Sequence, residues 1–140
     1  MEIDNATCLA SIAAATDEAG RIGARVSVAV VDAGGNLTAF LRMDGAEIAG
    51  PTLAVDKAYT AVANRISTEE LGRLAAPGGP LFGLHSNGNG RFVIFGGGVP
   101  VVVDDVVTGA IGVSGGTVHE DIACAEAGRQ RALELLTELS

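Results

Sequence analysis

The segments of this chain with the strongest strand character come in adjacent pairs. ARVSVAVVD runs through the turn formers of DAGGN into LTAFLRMD, and VPVVVDD turns at Asp104-Asp105 into VVTGAIGVSG. Glycine, asparagine and aspartate accept the positive φ that a tight hairpin demands. Strands joined this closely must run antiparallel, because a parallel pair needs a crossover of a dozen residues or more. RFVIFGG supplies a further strand candidate. In the first strand Val26, Val28 and Val30 alternate with Ser27, Ala29 and Val31, so both faces are apolar enough to need cover. The expectation is one α+β unit over residues 1–140: a five-stranded antiparallel sheet with helices on both faces.

The helices announce themselves by their ends. Asp4 and Asn5 can cap a first helix running to about Glu18, with Ile3, Leu9 and Ile12 on its apolar face and Gly20 and Gly23 closing it. Pro51 suits the first turn of PTLAVDKAYTAVANR, where Ala54, Ala58, Ala61 and Val62 form a narrow stripe for close docking on a sheet. Ser67 and Glu70 have capping-box spacing, and so have Thr117 and Glu120. The last helix runs from about His119 to Leu139, with Ile122, Ala125, Leu133, Leu136 and Leu139 on one side. Between them PGGPLFGLHSNGNG must be mostly irregular, and a loop of that length in a small unit is often functional. With five aromatic residues and no Trp, the core has to be packed from Ala and Val.

The net charge of −8 excludes nucleic acid and anionic membrane as partners, since both need clustered Lys and Arg. No stretch reaches membrane-spanning length, and the N-terminus lacks the basic and apolar regions of a signal peptide, so the expected location is the cytoplasm. Cys8 and Cys124 lack metal-site spacing and read as buried thiols.

Chemistry can sit in few places. Gly96, Gly97 and Gly98 either present backbone N–H groups to a ligand or mark a strand turn where another backbone passes. Gly115 and Gly116 lead into TVHED, where a helix N-terminus attracts anions but already carries Glu120 and Asp121, so a phosphate site is weakly supported. No nucleotide motif is present. Successive residues on a helix project about 100° apart, so His119, Glu120 and Asp121 cannot share one ion, and no metal site is expected. Lys57 lies among alanines; on the apolar side of its helix it would be desolvated and reactive, and otherwise it snorkels or pairs with a carboxylate. His85 lies in the glycine loop, facing a pocket or solvent.

VSVAVVDAGGNLTAFLRMDGA, DKAYTA and FGGGVPVVVDDVVTGAIGVSGGTVHED, with the spacing between them, resemble the GlcG/HbpS-like family, which includes the C-terminal domain of PduO-type proteins. The resemblance spans about residues 3 to 138 and implies a profilin-like sandwich and a homo-oligomer between dimer and octamer. It also implies roles in haem binding and degradation, iron sensing and corrinoid-linked cofactor handling. Haem-binding members resemble one another in a histidine near the N-terminal helix or a nearby oxygen ligand. Here that helix has no histidine, so the role would pass to His85, His119 or a hydroxyl. Secreted iron-sensing members carry an export signal that does not show in this sequence, and His119 stands where many members have Glu or Gln.

The reading from these residues is a small-molecule-binding catabolic protein acting as an isomerase, hydratase or lyase with no required cofactor. Lys57, His85, His119, Glu120 and Asp121 would supply acid and base, and Arg42, Asp44, Gly96, Gly97, Gly98, Gly115 and Gly116 would hold the ligand. The alternatives are a haem- or tetrapyrrole-binding protein and a non-catalytic accessory subunit. The turn before the last helix should face Lys57 or the glycine triplet across one pocket.

Overall fold

The computed structural model describes residues 1–138. Asp4 accepts a hydrogen bond from Thr7 N at 2.7 Å and starts helix α1, Asn5–Ile22, which ends at a left-handed Gly23. Gly20 therefore lies within the helix, not at its end. Strands β1 (Ser27–Asp32) and β2 (Leu37–Arg42) form the first hairpin, its turn closed by Asp32 Oδ1 accepting from the amides of Gly34 and Asn36. Helix α2 (Gly50–Asn64) follows, then α3 (Thr68–Ala75), capped by Ser67 as its spacing predicts. After the glycine-rich loop come β3 (Gly98–Val103), β4 (Val106–Ser114) and α4 (Val118–Glu138). Asp104 and Asp105 both take positive φ, 50° and 64°, as the two-residue turn between β3 and β4 requires. Leu139 lies outside the described residues.

The sheet has four strands, not five, in the order β2-β1-β4-β3 and antiparallel throughout. The missing strand is RFVIFGG. Its first residues bond to helix α2 in place of a strand. Thr60 Oγ1 donates to Arg91 O at 3.1 Å and accepts from Val93 N at 3.0 Å. Ile94 O lies against Gly72, where a Cβ would come within 2.1 Å of it.

Helices α1 and α4 cover one face of the sheet, burying Val26, Val28, Val30, Val99, Val101, Ile111 and Val113 against Ile12, Ala15, Cys124 and Ala125. Helix α2 covers the other through Ala54, Ala58 and Ala61, packed on Ala29, Val31 and Ala110. The docking of α2 is so close that a Cβ at Gly112 would lie 2.0 Å from Ala54 O. Leu9 departs from the expected apolar face of α1 and is 63% exposed, while Ile3 and Ile12 are buried. No helix among the described residues is long and apolar enough to cross a membrane.

Candidate functional site

Sheet register gathers the candidate residues. Ser27 pairs with both Arg42 and Ser114, and Gly98 pairs with Gly112. The start of β1, the end of β2, the start of β3 and the end of β4 therefore share one end of the sheet. Arg25, Arg42, Asp44, the glycines at 96–98 and Gly115–Gly116 all lie in or beside the segments that leave that end. The hairpin turns at 33–36 and 104–105 lie at the other.

Lys57 reaches into this end from α2 with no exposed side-chain surface. Its Nζ donates to Val113 O at 2.9 Å and to Asp121 Oδ2 at 3.2 Å. Asp121 Oδ1 in turn accepts from Gly116 N at 2.8 Å. The Phe95 ring lies over the ammonium, 5.0 Å from ring centre to Nζ, in a cation–π contact. Gly97, at φ 129°, makes this possible: a Cβ there would stand 2.7 Å from Lys57 Nζ and 2.5 Å from Val113 O. Burial is the largest influence on both partners. It pushes the Lys57 ammonium below its ordinary range and the Asp121 carboxyl above its own, and their mutual attraction opposes both shifts. Such a pair is set up to pass a proton, but in this conformation Nζ is sealed from solvent.

The turn SGGTVHED closes over the pair. Thr117 Oγ1 accepts from Glu120 N at 3.2 Å, and Glu120 Oε1 accepts from Thr117 N at 2.9 Å, a reciprocal capping box. Glu120 is thereby engaged with the backbone. His119 is exposed and has no side-chain hydrogen bond among the described residues. Beside it Val118 is 42% exposed, as is Phe95 to 44%, and a Cβ on Gly96 would touch Val118 at 3.2 Å. Gly115 abuts the start of β1, where a Cβ would come within 2.5 Å of Arg25 O.

Arg42 is the exposed last residue of β2, and Asp44 lies on the exposed turn that follows. Arg42 Nη2 donates to Ala46 O, and Asp44 offers its backbone carbonyl to Arg25 Nη1 at 2.8 Å. His85 is exposed in a 3-10 turn, Leu84–Ser86, without a side-chain hydrogen bond among the described residues. No group of three or more His, Cys, Asp or Glu there could hold a metal ion. Cys8 and Cys124 are free and buried, their thiols pushed up to about 11, chiefly by burial. Arg25 and Phe95 were not singled out from the sequence. Arg25 could have been found by alternation: it shares parity with Ser27, whose cross-strand partner is Arg42. Phe95 is the aromatic residue that adjoins the glycine triplet.

This architecture, an antiparallel α+β sheet with a glycine-lined end roofed over a buried Lys–Asp pair, defines the class of protein. The chain belongs to the family described as haem degrading protein HbpS-like, whose model matches residues 3–130. It is 40% identical over 113 residues to the corrinoid adenosyltransferase PduO of Salmonella typhimurium, covering 81% of this chain and 34% of PduO. The chain thus spans about a third of that relative. Among solved structures, Klebsiella pneumoniae protein ORFY matches with a TM-score of 0.91 and 35% identity, over 95% of this chain and 92% of ORFY. A PduOC–heme complex matches with a TM-score of 0.90 and 34% identity, over 94% and 95% of the two chains.

Proposed function

We propose that this protein binds haem or a related tetrapyrrole at the glycine-lined end of its sheet. The observation that carries this reading is the PduOC–heme complex, a relative that matches this chain over nearly its whole length. The residues at that end fit such a ligand. Phe95, Val118 and Leu41 expose apolar surface for a porphyrin face, and Arg25 and Arg42 offer guanidinium groups for its acidic edge. Helix α1 has no histidine, so His119, exposed next to Val118, is the imidazole that would hold the iron. Bound haem would supply an iron whose redox chemistry its axial ligand and surroundings tune. The chain's own contribution is to place an imidazole, an apolar platform and two cations on adjacent segments. Titrating the protein with hemin should give a saturable Soret shift, which His119→Ala weakens about tenfold or more without lowering Tm. No Soret change in the unaltered protein would sink the reading.

A second reading, acid–base catalysis on a small oxygenated metabolite, is favoured by the Lys57–Asp121 pair itself. A desolvated lysine beside a carboxylate suits proton transfer or an imine with a carbonyl substrate. Borohydride trapping with pyruvate as probe should label Lys57 if the roof over it opens; no label at Lys57 counts against the reading. Exposed Leu37, Phe40, Leu41 and Ile48 support self-association, which sedimentation velocity would measure.

A further inference from the structure

Most of this chain's cations are spoken for. Lys57 pairs with Asp121, Arg21 with Glu18, Arg73 with Glu69 and Glu70, Arg91 with Asp56, Arg129 with Glu126 and Arg131 with Glu134. Among the described residues Arg25, Arg42 and Arg65 have no carboxylate partner. In a protein of net charge −8, with carboxylates in excess, an arginine without one is a choice that needs a reason.

Two of the three, Arg25 and Arg42, line one cleft of about 360 Å³ with Leu41, Met43 and Asp44. Both are held in place by the same short turn. Arg25 lies against Gly45, 3.4 Å from where a Cβ would stand, and donates to Asp44 O, while Arg42 donates to Ala46 O. A guanidinium has five N–H donors in a fixed fork, and each of these spends one on the protein. Two guanidiniums that line one cleft and keep donors to spare are what a carboxylate needs for paired, charge-assisted hydrogen bonds. Leu41 and Met43 give an apolar wall for the carbon skeleton that bears the acid. Asp44 also lines the cleft and forms no ion pair among the described residues.

We propose that Arg25 and Arg42 form a carboxylate-binding subsite beside the turn Met43–Ala46. Its ligand is a carboxylate on an apolar skeleton. That group comes either from a free small organic acid or from the propionate edge of a tetrapyrrole, the second source resting on the reading above. The double variant Arg25→Gln/Arg42→Gln removes both forks. Arg25→Lys/Arg42→Lys keeps the charge and loses the bidentate geometry, and Arg65→Gln at a different cleft serves as control. Far-UV circular dichroism and Tm establish that each variant is folded; should the Gln pair fail to fold, the Lys pair carries the comparison.

Succinate is the probe for the free acid, followed through the arginine side-chain N–H resonances. Hemin and hemin dimethyl ester are the probes for the propionate edge. The subsite is supported if succinate perturbs the Arg25 and Arg42 resonances and the Gln pair abolishes binding while Arg65→Gln does not. It is equally supported if the Gln pair weakens hemin about tenfold or more but leaves the dimethyl ester unchanged. It is overturned if succinate perturbs neither arginine and hemin binding is the same in the Gln pair as in the unaltered protein. A protein that binds succinate but no hemin keeps the subsite and loses the tetrapyrrole reading; one that binds hemin indifferently to both arginines, with neither arginine perturbed by succinate, does the reverse.

Discussion

Lys57 shows what a single residue costs in this interior. Its ammonium and the Asp121 carboxylate have left water together, and each is tolerated because the other, Val113 O and Gly116 N complete its hydrogen bonds. Removing one partner strands the other. Lys57→Met should destabilise the fold by about 3 kcal/mol in urea unfolding, whereas Lys57→Met/Asp121→Leu should return to near the original stability. The pH dependence has a definite sign. Burial raises the Asp121 pKa in the native state above its ordinary 3.8, so the native protein holds that proton longer than the unfolded chain. Its contribution to stability falls as pH rises through the window just above 3.8. Lys57, lowered from 10.5, gives up its proton earlier in the native state, so its contribution rises with pH in the window below 10.5. Asp121→Asn should abolish the fall at the acidic end. Urea midpoints at about pH 4 and about pH 6, compared between the two proteins, measure it. Burial and a carboxylate partner each stood among the outcomes the sequence left open for a lysine among alanines, beside snorkelling to solvent; the structure combines the two. Which carboxylate it meets was not legible, because the pairing depends on α2 and α4 approaching the same sheet end from different segments of the chain.

At the scale of elements, local chemistry was readable wherever the residues that decide it are neighbours. The Thr117–Glu120 capping box and the Ser67 and Asp4 caps rest on side chains within a few positions of the backbone groups they satisfy, and the Asp104-Asp105 turn on two adjacent residues, whereas the Glu70 carboxylate expected to complete a box with Ser67 engages Arg73 instead. RFVIFGG failed as a strand for the opposite reason. Its apolar pattern fits a strand, but the group that claims the backbone of Arg91 and Val93 is the Thr60 hydroxyl on α2, about thirty residues away. The α2–β4 contact depends on an absence of side chain. Gly112→Ala would put a Cβ 2.0 Å from Ala54 O and 2.6 Å from Ala58 N, both backbone atoms that cannot swing aside. It should cost about 3 kcal/mol, read as a lowered urea midpoint with the m-value unchanged.

At the scale of the whole molecule, sheet register turns scattered candidates into one place. Arg42, Asp44, the two glycine groups, Lys57 and Asp121 come from four segments and lie toward the same end of the sheet because β1 and β4 are paired so that Ser27 faces Ser114. The strand pairs were visible in the sequence as hairpins, but the pairing between the hairpins was not, since nothing local specifies which edge of one meets which edge of the other. The molecule's ligand chemistry is accordingly tested whole, by the hemin and succinate titrations, and not by any one side chain.

The same strand order governs time as well as place. The two central strands come from opposite parts of the chain, and the first hairpin has one of its edges covered only by β4. Helix α1 likewise packs on α4, which ends at Glu138. A chain emerging from the ribosome therefore holds β1 and β2 with an apolar face and an open edge until residues 106–114 arrive. Contacts so distant in sequence form slowly, and a nascent chain in that interval is exposed to mispairing with its neighbours. The register that builds the ligand site therefore waits until β4 has been made.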